Sequence, residues 1–398
     1  MWMKFRHKVV FALLRPFFWL FLRWRYGLRL EKYKLPKGPC LMIFNHTSSF
    51  DPFFISMAFK GPIYFLSTDD IFSLRFWSPI IKYLVAPIPK SKSMRDYQAV
   101  KNVITVAGEG GRLGLSPEGN RTYDGRLCNI DYAIVKLIKH LRIPLVLYEF
   151  QGGFGVNPRF SSYVRKGRIY GRVAKYLTKE EVEAIAPDDL YKLVIATLSV
   201  DEFTGKQNFR SKHAAEQLER VVYLCPVCQT IGDLHSEGTH LRCDHCGLDV
   251  EYGEDLQFHT GNPKFPFSYL WQWYDFQIEF ITKLDLFQNR ETFHDDDVAL
   301  KRVVWRRKKD KLVSGRLSMD FETLTVTDGR TTKRFKLEEF SSMTVLGQNK
   351  LNVYIDKETY QLKSNKQFNA LKYLQLYFHV RNARKGIKNG DLEQFLGI

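Results

Sequence analysis

Asn45-His-Thr-Ser-Ser-Phe-Asp51 sets an imidazole and a carboxylate five residues apart, directly after a short apolar run. A histidine that takes a proton from a hydroxyl needs one ring nitrogen free to accept and the other held by an acceptor. A carboxylate on that second nitrogen fixes the tautomer and stabilises the imidazolium that forms. If Ser48 or Ser49 caps a helix, His46 lies in the loop before it and Asp51 in its first turn, so the two side chains meet. The plainer alternative is a strand-end histidine beside an aspartate that only stabilises a helix start. A second polar stretch, Leu115-Ser-Pro-Glu-Gly-Asn-Arg-Thr122, follows another apolar run. Gly119 permits close backbone approach to a ligand, and Arg121 offers a planar fork for a phosphate. Glu118 is placed to orient that fork or to bind a substrate hydroxyl.

A different chemistry is written further on. Cys225-Pro-Val-Cys228 and Cys243-Asp-His-Cys246 are two Cys-x-x-Cys pairs with fourteen residues between them. Such knuckles place four thiolates around one Zn²⁺, and the closed shell leaves no open position for catalysis. The expectation is a structural Zn²⁺ in a zinc ribbon, with no redox cofactor. His235, His240 and His245 lie nearby, but four cysteines already complete the shell. Paired cysteines without an export signal read as a metal site in a reducing compartment.

Short apolar runs at Cys40–Phe44, Ile63–Leu66, Leu84–Ile88, Leu113–Leu115 and Leu145–Phe150 are expected strands. Helical stretches over 97–107 and 130–140 alternate with them, which indicates an α/β fold with a largely parallel sheet flanked by helices. Chemistry in such folds collects beyond the strand ends, where both polar stretches fall. Thr178-Lys-Glu-Glu181 is a capping box, Pro187-Asp-Asp opens another helix, and a third is expected over 211–223. An aromatic helix over 269–286 is read as core, with a second membrane contact as the alternative for the aromatic segment 265–287. Period-two alternation at 324–326 and 351–355, an Asp328-Gly329 turn and a last helix over 366–382 give a small β-rich module. That pattern resembles a pleckstrin-homology-like fold. The expected division is a helical interfacial anchor over 1–35, an α/β domain over 36–222 and the ribbon over 223–252. An aromatic helical linker over 253–299 and the β-rich module over 300–398 complete it.

The net charge of +17 calls for an anionic partner. Near the N-terminus two apolar stretches are broken by Arg15-Pro16 and flanked by basic residues, and no cleavage site follows. Neither stretch approaches the roughly 20 apolar residues of a membrane span. A helix lying in the interface of an anionic membrane surface fits better than a core helix, with Trp2, Trp19 and Trp24 at headgroup level. The basic run over 301–309, with Trp305, permits a nucleic-acid reading. A solvated edge or a lipid contact is the simpler account, and nucleic acid is not the expected partner. His294-Asp-Asp-Asp297 reads as a solvated charge cluster.

Asn45, His46 and Asp51 as NHxxxxD, and Ser116 to Thr122 as SPEGNRT followed by Asp124-Gly125, resemble the signatures of the glycerolipid acyltransferase family. That family includes lysophosphatidic acid acyltransferase. Ala86 to Lys92 is similar to its second block and Ile143 to Val146 to its fourth, so the resemblance spans about 1–223. Ser116 stands where the family has Phe, and Asn120 where it has Thr. The second block lacks its Arg, a charge that Lys92, or else Lys90, would supply.

The resemblance implies that His46 is general base on a hydroxyl attacking an acyl thioester or acyl phosphate, with Asp51 as its partner. Asn45, Lys92, Glu118, Gly119 and Arg121 would bind the acceptor. The donor would be an acyl carrier protein or coenzyme A thioester. The acceptor would be lysophosphatidic acid, acylated at the sn-2 hydroxyl to give phosphatidic acid, at the cytosolic face of a membrane. Glycerol-3-phosphate or another lysophospholipid is the alternative acceptor. A non-catalytic lipid- or nucleic-acid-binding scaffold is the alternative of another class.

Overall fold

Cys40–Phe44 is buried along its whole length, as a strand covered on both faces must be. It is the middle strand of a seven-stranded sheet in the computed structural model of the chain, which describes residues 2–68, 83–90, 97–205, 207–285, 293–303, 309–356 and 358–386. The strands are β1 (Arg29–Leu30), β2 (Cys40–Phe44), β3 (Ile63–Thr68), β4 (Ile88–Lys90), β5 (Arg112–Leu115), β6 (Leu145–Gln151) and β7 (Tyr170–Leu177). Their order is β1-β7-β6-β2-β5-β3-β4. Every neighbouring pair is parallel except β6 with β7. The largely parallel α/β sheet is therefore present.

Helices α1 (Phe5–Tyr26), α2 (Asp51–Ala58), α3 (Tyr97–Gly108), α4 (Ala133–Leu141), α5 (Gly153–Val156), α6 (Lys179–Ala184) and α7 (Pro187–Leu198) belong to the same unit. Leu41, Ile43, Leu145 and Leu147 join Val103 of α3, Ile134 of α4 and Val194 of α7 in one buried core. The alternate residues of β2 and β6 form an aromatic layer. Phe44 and Phe54 of α2 meet Phe150 edge-on, and Tyr26 of α1 meets Phe54.

Several expectations are corrected. The strand expected from Leu84 begins at Ile88, after a helical turn over 83–85. Neither β1 nor β7 is apparent from the sequence, because each is short or half-exposed and is stabilised by its partner strand. The N-terminal stretches form one helix that continues through Pro16, at the cost of one internal hydrogen bond. The cap of α2 is Phe50 rather than Ser48 or Ser49. The helix expected over 211–223 is reduced to a three-residue 3₁₀ turn, Leu218–Arg220, entered through Gln217 at φ +72°. Gln217, Glu219 and Arg220 are buried there beside Leu218 and Val221, so no face is left for water, as an amphipathic helix requires. The Thr178–Glu181 capping box is formed in both directions.

The second compact unit comprises Arg159–Tyr163 and Asn208–Phe395, and it contains the ribbon, the aromatic helix and the β-rich module. Strands β8 (Leu234–Glu237), β9 (His240–Cys243), β10 (Asp249–Tyr252) and β11 (Phe258–His259) form an antiparallel sheet around the cysteines. Helix α8 (Leu270–Lys283) donates Trp273 Nε1 to Leu224 O and Gln277 Nε2 to Val221 O.

The last part holds β12 (His294–Arg302), β13 (Asp310–Met319), β14 (Thr323–Thr327), β15 (Thr332–Lys336), β16 (Phe340–Leu346), β17 (Lys350–Ile355) and β18 (Glu358–Lys363). It is closed by helix α9 (Ala370–Arg384). All of its neighbouring strands are antiparallel, in the order β15-β14-β13-β12-β18-β17-β16. Helix α9 starts later than 366 because Asn369 caps it, accepting from Lys372 N. Asp295, expected in a solvated cluster, instead binds the buried Lys372 ammonium at 2.8 Å and the Tyr373 hydroxyl.

Candidate active site and metal centre

β2 ends at Phe44, and the next side chain behaves as one more rung of the sheet. Asn45 is buried, donating to Phe150 O and accepting from Phe150 N, each at 2.8 Å. This amide clamp fixes where the loop leaves the sheet and occupies both of its polar ends with backbone. His46 follows, and its Nδ1 lies 2.9 Å from Asp51 Oδ2. The same oxygen accepts from Thr47 N at 2.8 Å and Ser48 N at 2.9 Å. Asp51 is fully buried while the His46 side chain is 22 % exposed. A carboxylate held by two amides cannot swing away, so the ring is held through Nδ1 and Nε2 is the nitrogen that Asp51 does not occupy.

Glu118 turns inward. Its Oε1 accepts from His46 N at 2.5 Å and its Oε2 from Cys128 N at 2.8 Å. Thr122 N donates to His46 O, so both main-chain groups of His46 are tied to the 116–122 stretch. Burial pushes the Glu118 carboxyl up to about 8, against the opposing pull of the two N–H donors. Gly119 takes φ +63°, a left-handed turn that keeps the loop tight.

Arg121 leans over the other side of the loop. Nη1 lies 3.4 Å from Ser49 Oγ, and Nη2 donates to Asn157 O at 2.6 Å. The fork is thus set beside the His46–Asp51 loop, and its bonds run to Ser49 and Asn157 rather than to Glu118. Lys90 is buried in β4, and Lys92 lies outside the described residues. Asn157 and Glu202 also belong to the site and were not visible in the sequence. Both are more than 100 residues from His46, and the Gly152-Gly153 pair after β6 was the one local hint of a close backbone approach.

In the second unit, Cys225 Sγ and Cys246 Sγ are 3.7 Å apart, as are Cys228 Sγ and Cys243 Sγ. All four sulfurs lie within 4.8 Å of one another. A tetrahedron with metal–sulfur bonds of about 2.3 Å has edges of roughly 3.8 Å, so the four residues fit one metal ion. Each knuckle closes on itself, Gln229 N donating to Cys225 O and Gly247 N to Cys243 O. Of the neighbouring histidines, His240 is engaged by Asp249 and His235 by Gln367.

A buried carboxylate holding a partly exposed imidazole, at the carboxyl ends of parallel strands, is an arrangement in which the ring can accept a proton from a hydroxyl. Residues 28–147 match the family model described as Acyltransferase. The matched stretch takes in both the His46–Asp51 loop and the 116–122 stretch. No curated protein matches the chain. Among solved structures, it is similar to the 1-acyl-sn-glycerophosphate (LPA) acyltransferase PlsC from Thermotoga maritima. That match has 15% identity and a TM-score of 0.40, over 48% of this chain and 79% of that one. It is also similar to the N-terminal PH domain of the human ARAP2 protein, with 16% identity and a TM-score of 0.18, over 25% of this chain and 90% of that one.

Proposed function

We propose that the chain transfers a fatty acyl group from a thioester, or an acyl phosphate, to the sn-2 hydroxyl of 1-acyl-glycerol-3-phosphate, giving phosphatidic acid. The observation that carries this reading is the 2.9 Å contact between His46 Nδ1 and an immobilised Asp51. With Nδ1 held, Nε2 takes the hydroxyl proton as the oxygen attacks the donor carbonyl. A C–O bond forms, the C–S bond breaks, and the proton on Nε2 passes to the departing thiolate. No enzyme nucleophile is required. Arg121, together with Lys92, holds the acceptor phosphate. Glu118 is a positioning residue on this reading, since it binds the main chain of His46 rather than substrate.

A lipid acceptor is supported by α1. Leu13, Phe17, Leu20 and Trp24 recur at helical spacing on one face, and all are exposed, Trp24 by 81 %. No described helix is long and apolar enough to cross a membrane. The stripe, with Arg23 and Arg25 at its end, suits a helix lying in an anionic bilayer surface. Beside it runs a groove of about 1410 Å³, with Phe11, Trp19 and Met57 on its walls and Arg15 and Arg23 among its cations. The four cysteines hold Zn²⁺ on this reading, in a structural role.

The test is acyl transfer by the purified chain, with coenzyme A and carrier-protein thioesters and with 1-acyl-glycerol-3-phosphate, glycerol-3-phosphate and other lysophospholipids as acceptors. Product that forms equally well with His46→Ala would remove the assigned chemistry. A preference for glycerol-3-phosphate would keep the chemistry and change the acceptor. For α1, Phe17→Ser with Trp24→Ser should release the chain from anionic vesicles, each lost side chain being worth about 1.5–3 kcal/mol. Unchanged vesicle binding would remove the helix from the interface.

A further inference from the structure

The segment after β6 lies beyond the matched residues 28–147, yet it reaches both halves of the site. Asn157 Oδ1 accepts from Ser48 Oγ at 3.0 Å and from Arg121 Nη2 at 3.4 Å. Its main-chain oxygen accepts from the same Nη2 at 2.6 Å. Ser48 in turn donates its N–H to Asp51. One residue therefore joins the loop carrying the His46–Asp51 pair to the guanidinium assigned above to the acceptor phosphate.

Asn157 is itself firmly seated. Its N–H donates to Gly153 O at 2.9 Å, and Gly152 N donates to Glu202 Oε2 at 2.9 Å. Gly152 has φ +84°, and a Cβ there would stand 2.2 Å from Arg168 O. A Cβ on Gly153 would stand 1.9 Å from Thr47 Oγ1. Gly153 thus lets this short turn lie directly on the His46 loop, and Gly152 lets it lie against Arg168. Behind it Glu202 is buried, with Oε1 unpaired among the described residues, and burial pushes its carboxyl up to about 8. At neutral pH it therefore accepts from Gly152 without adding a second negative charge near Asp51.

The residue type fits the task. A neutral amide oxygen accepts from Ser48 and Arg121 without itself placing a negative charge on the guanidinium. An aspartate of the same shape would form an ion pair with Arg121 and cancel that charge.

We propose that Asn157 is a positioning residue that fixes Arg121 against the His46–Asp51 loop and so sets a preference for phosphate-bearing acceptors. This rests on the assignment of Arg121 to the acceptor phosphate. The full chain is compared with Asn157→Ala, Asn157→Asp, Arg121→Ala and the Arg121→Ala/Asn157→Ala pair, on 1-acyl-glycerol-3-phosphate and on 1-acylglycerol. Asn157→Ala should lower kcat/KM for the phosphate acceptor about tenfold, mainly through KM, and lower it several-fold less for the phosphate-free acceptor. Asn157→Asp, which keeps the shape, should lower the phosphate acceptor further. In the Arg121→Ala background the second change should add nothing. Equal losses on both acceptors, or losses that add in the double variant, would overturn the proposal.

Calorimetric binding of sn-glycerol 3-phosphate gives a readout independent of turnover. Weakening in both single alanine variants supports the proposal. Weakening in Arg121→Ala alone overturns the role of Asn157 and leaves that of Arg121 standing. No change in Arg121→Ala removes both.

Discussion

The His46 loop and the cysteine cluster solve the same problem, holding reactive side chains in fixed geometry, by opposite means. Around His46 the chain supplies every restraint itself. Asp51 is held by Thr47 and Ser48, His46 by Glu118 and Thr122, and Asn45 by Phe150. Around the cysteines each knuckle closes locally, but the two knuckles converge on four sulfurs spaced for an ion between them. A site that must meet substrate has to stay open and be rigid without it, whereas a site that only joins two loops can leave rigidity to a metal.

The largest effect expected from this contrast is metal removal. Structural zinc sites contribute apparent binding energies of about 10–16 kcal/mol, which is folding energy for the loops they join. Chelation of the full chain should release one zinc per molecule and abolish hydrogen-exchange protection over 225–252, while β2, β5 and β6 keep theirs. Protection lost first in β2 would break the comparison. Next comes His46→Ala, expected to lower kcat by roughly 10²–10⁴ with acceptor KM nearly unchanged and the melting curve intact. A matching loss of stability would mean that the ring is mainly a structural prop.

Glu118→Ala should cost about 1–3 kcal/mol for each of the two N–H groups it leaves unpaired, read from denaturant midpoints, and should slow transfer by loosening His46. Stability unchanged in that variant would show that the loop does not depend on its carboxylate. The smallest effect is on pH dependence. Glu202 holds its proton up to about pH 8 when folded, whereas its ordinary value is 4.5. The folded state thus binds the extra proton between these values. Its contribution is fully present below about pH 4.5 and is lost as pH rises towards 8. Glu202→Gln keeps an acceptor for Gly152 and should flatten that decline in melting temperature between pH 5 and 8, unless Glu202 ionises normally.

What could be read from the sequence was whatever a short segment settles alone. Only four residues lie between His46 and Asp51, and Cys-x-x-Cys spacing brings two sulfurs together within one turn, so local geometry was enough for both. The buried strands β2, β5 and β6, the Thr178 capping box and the Asp328-Gly329 turn were legible for the same reason. Even so, the local reading named the wrong cap for α2 and placed a helix where 211–223 makes turns.

Tertiary structure decided the rest. It paired the half-exposed β7 with β6, gave Glu118 to the backbone of His46, brought Asn157 to a loop more than 100 residues away in the chain, and set Glu202 behind Gly152. The physical reason is that a buried amide or carboxyl must find a partner, but nothing in its own neighbourhood names which one. That choice is made only when strands pack side by side and their end loops converge.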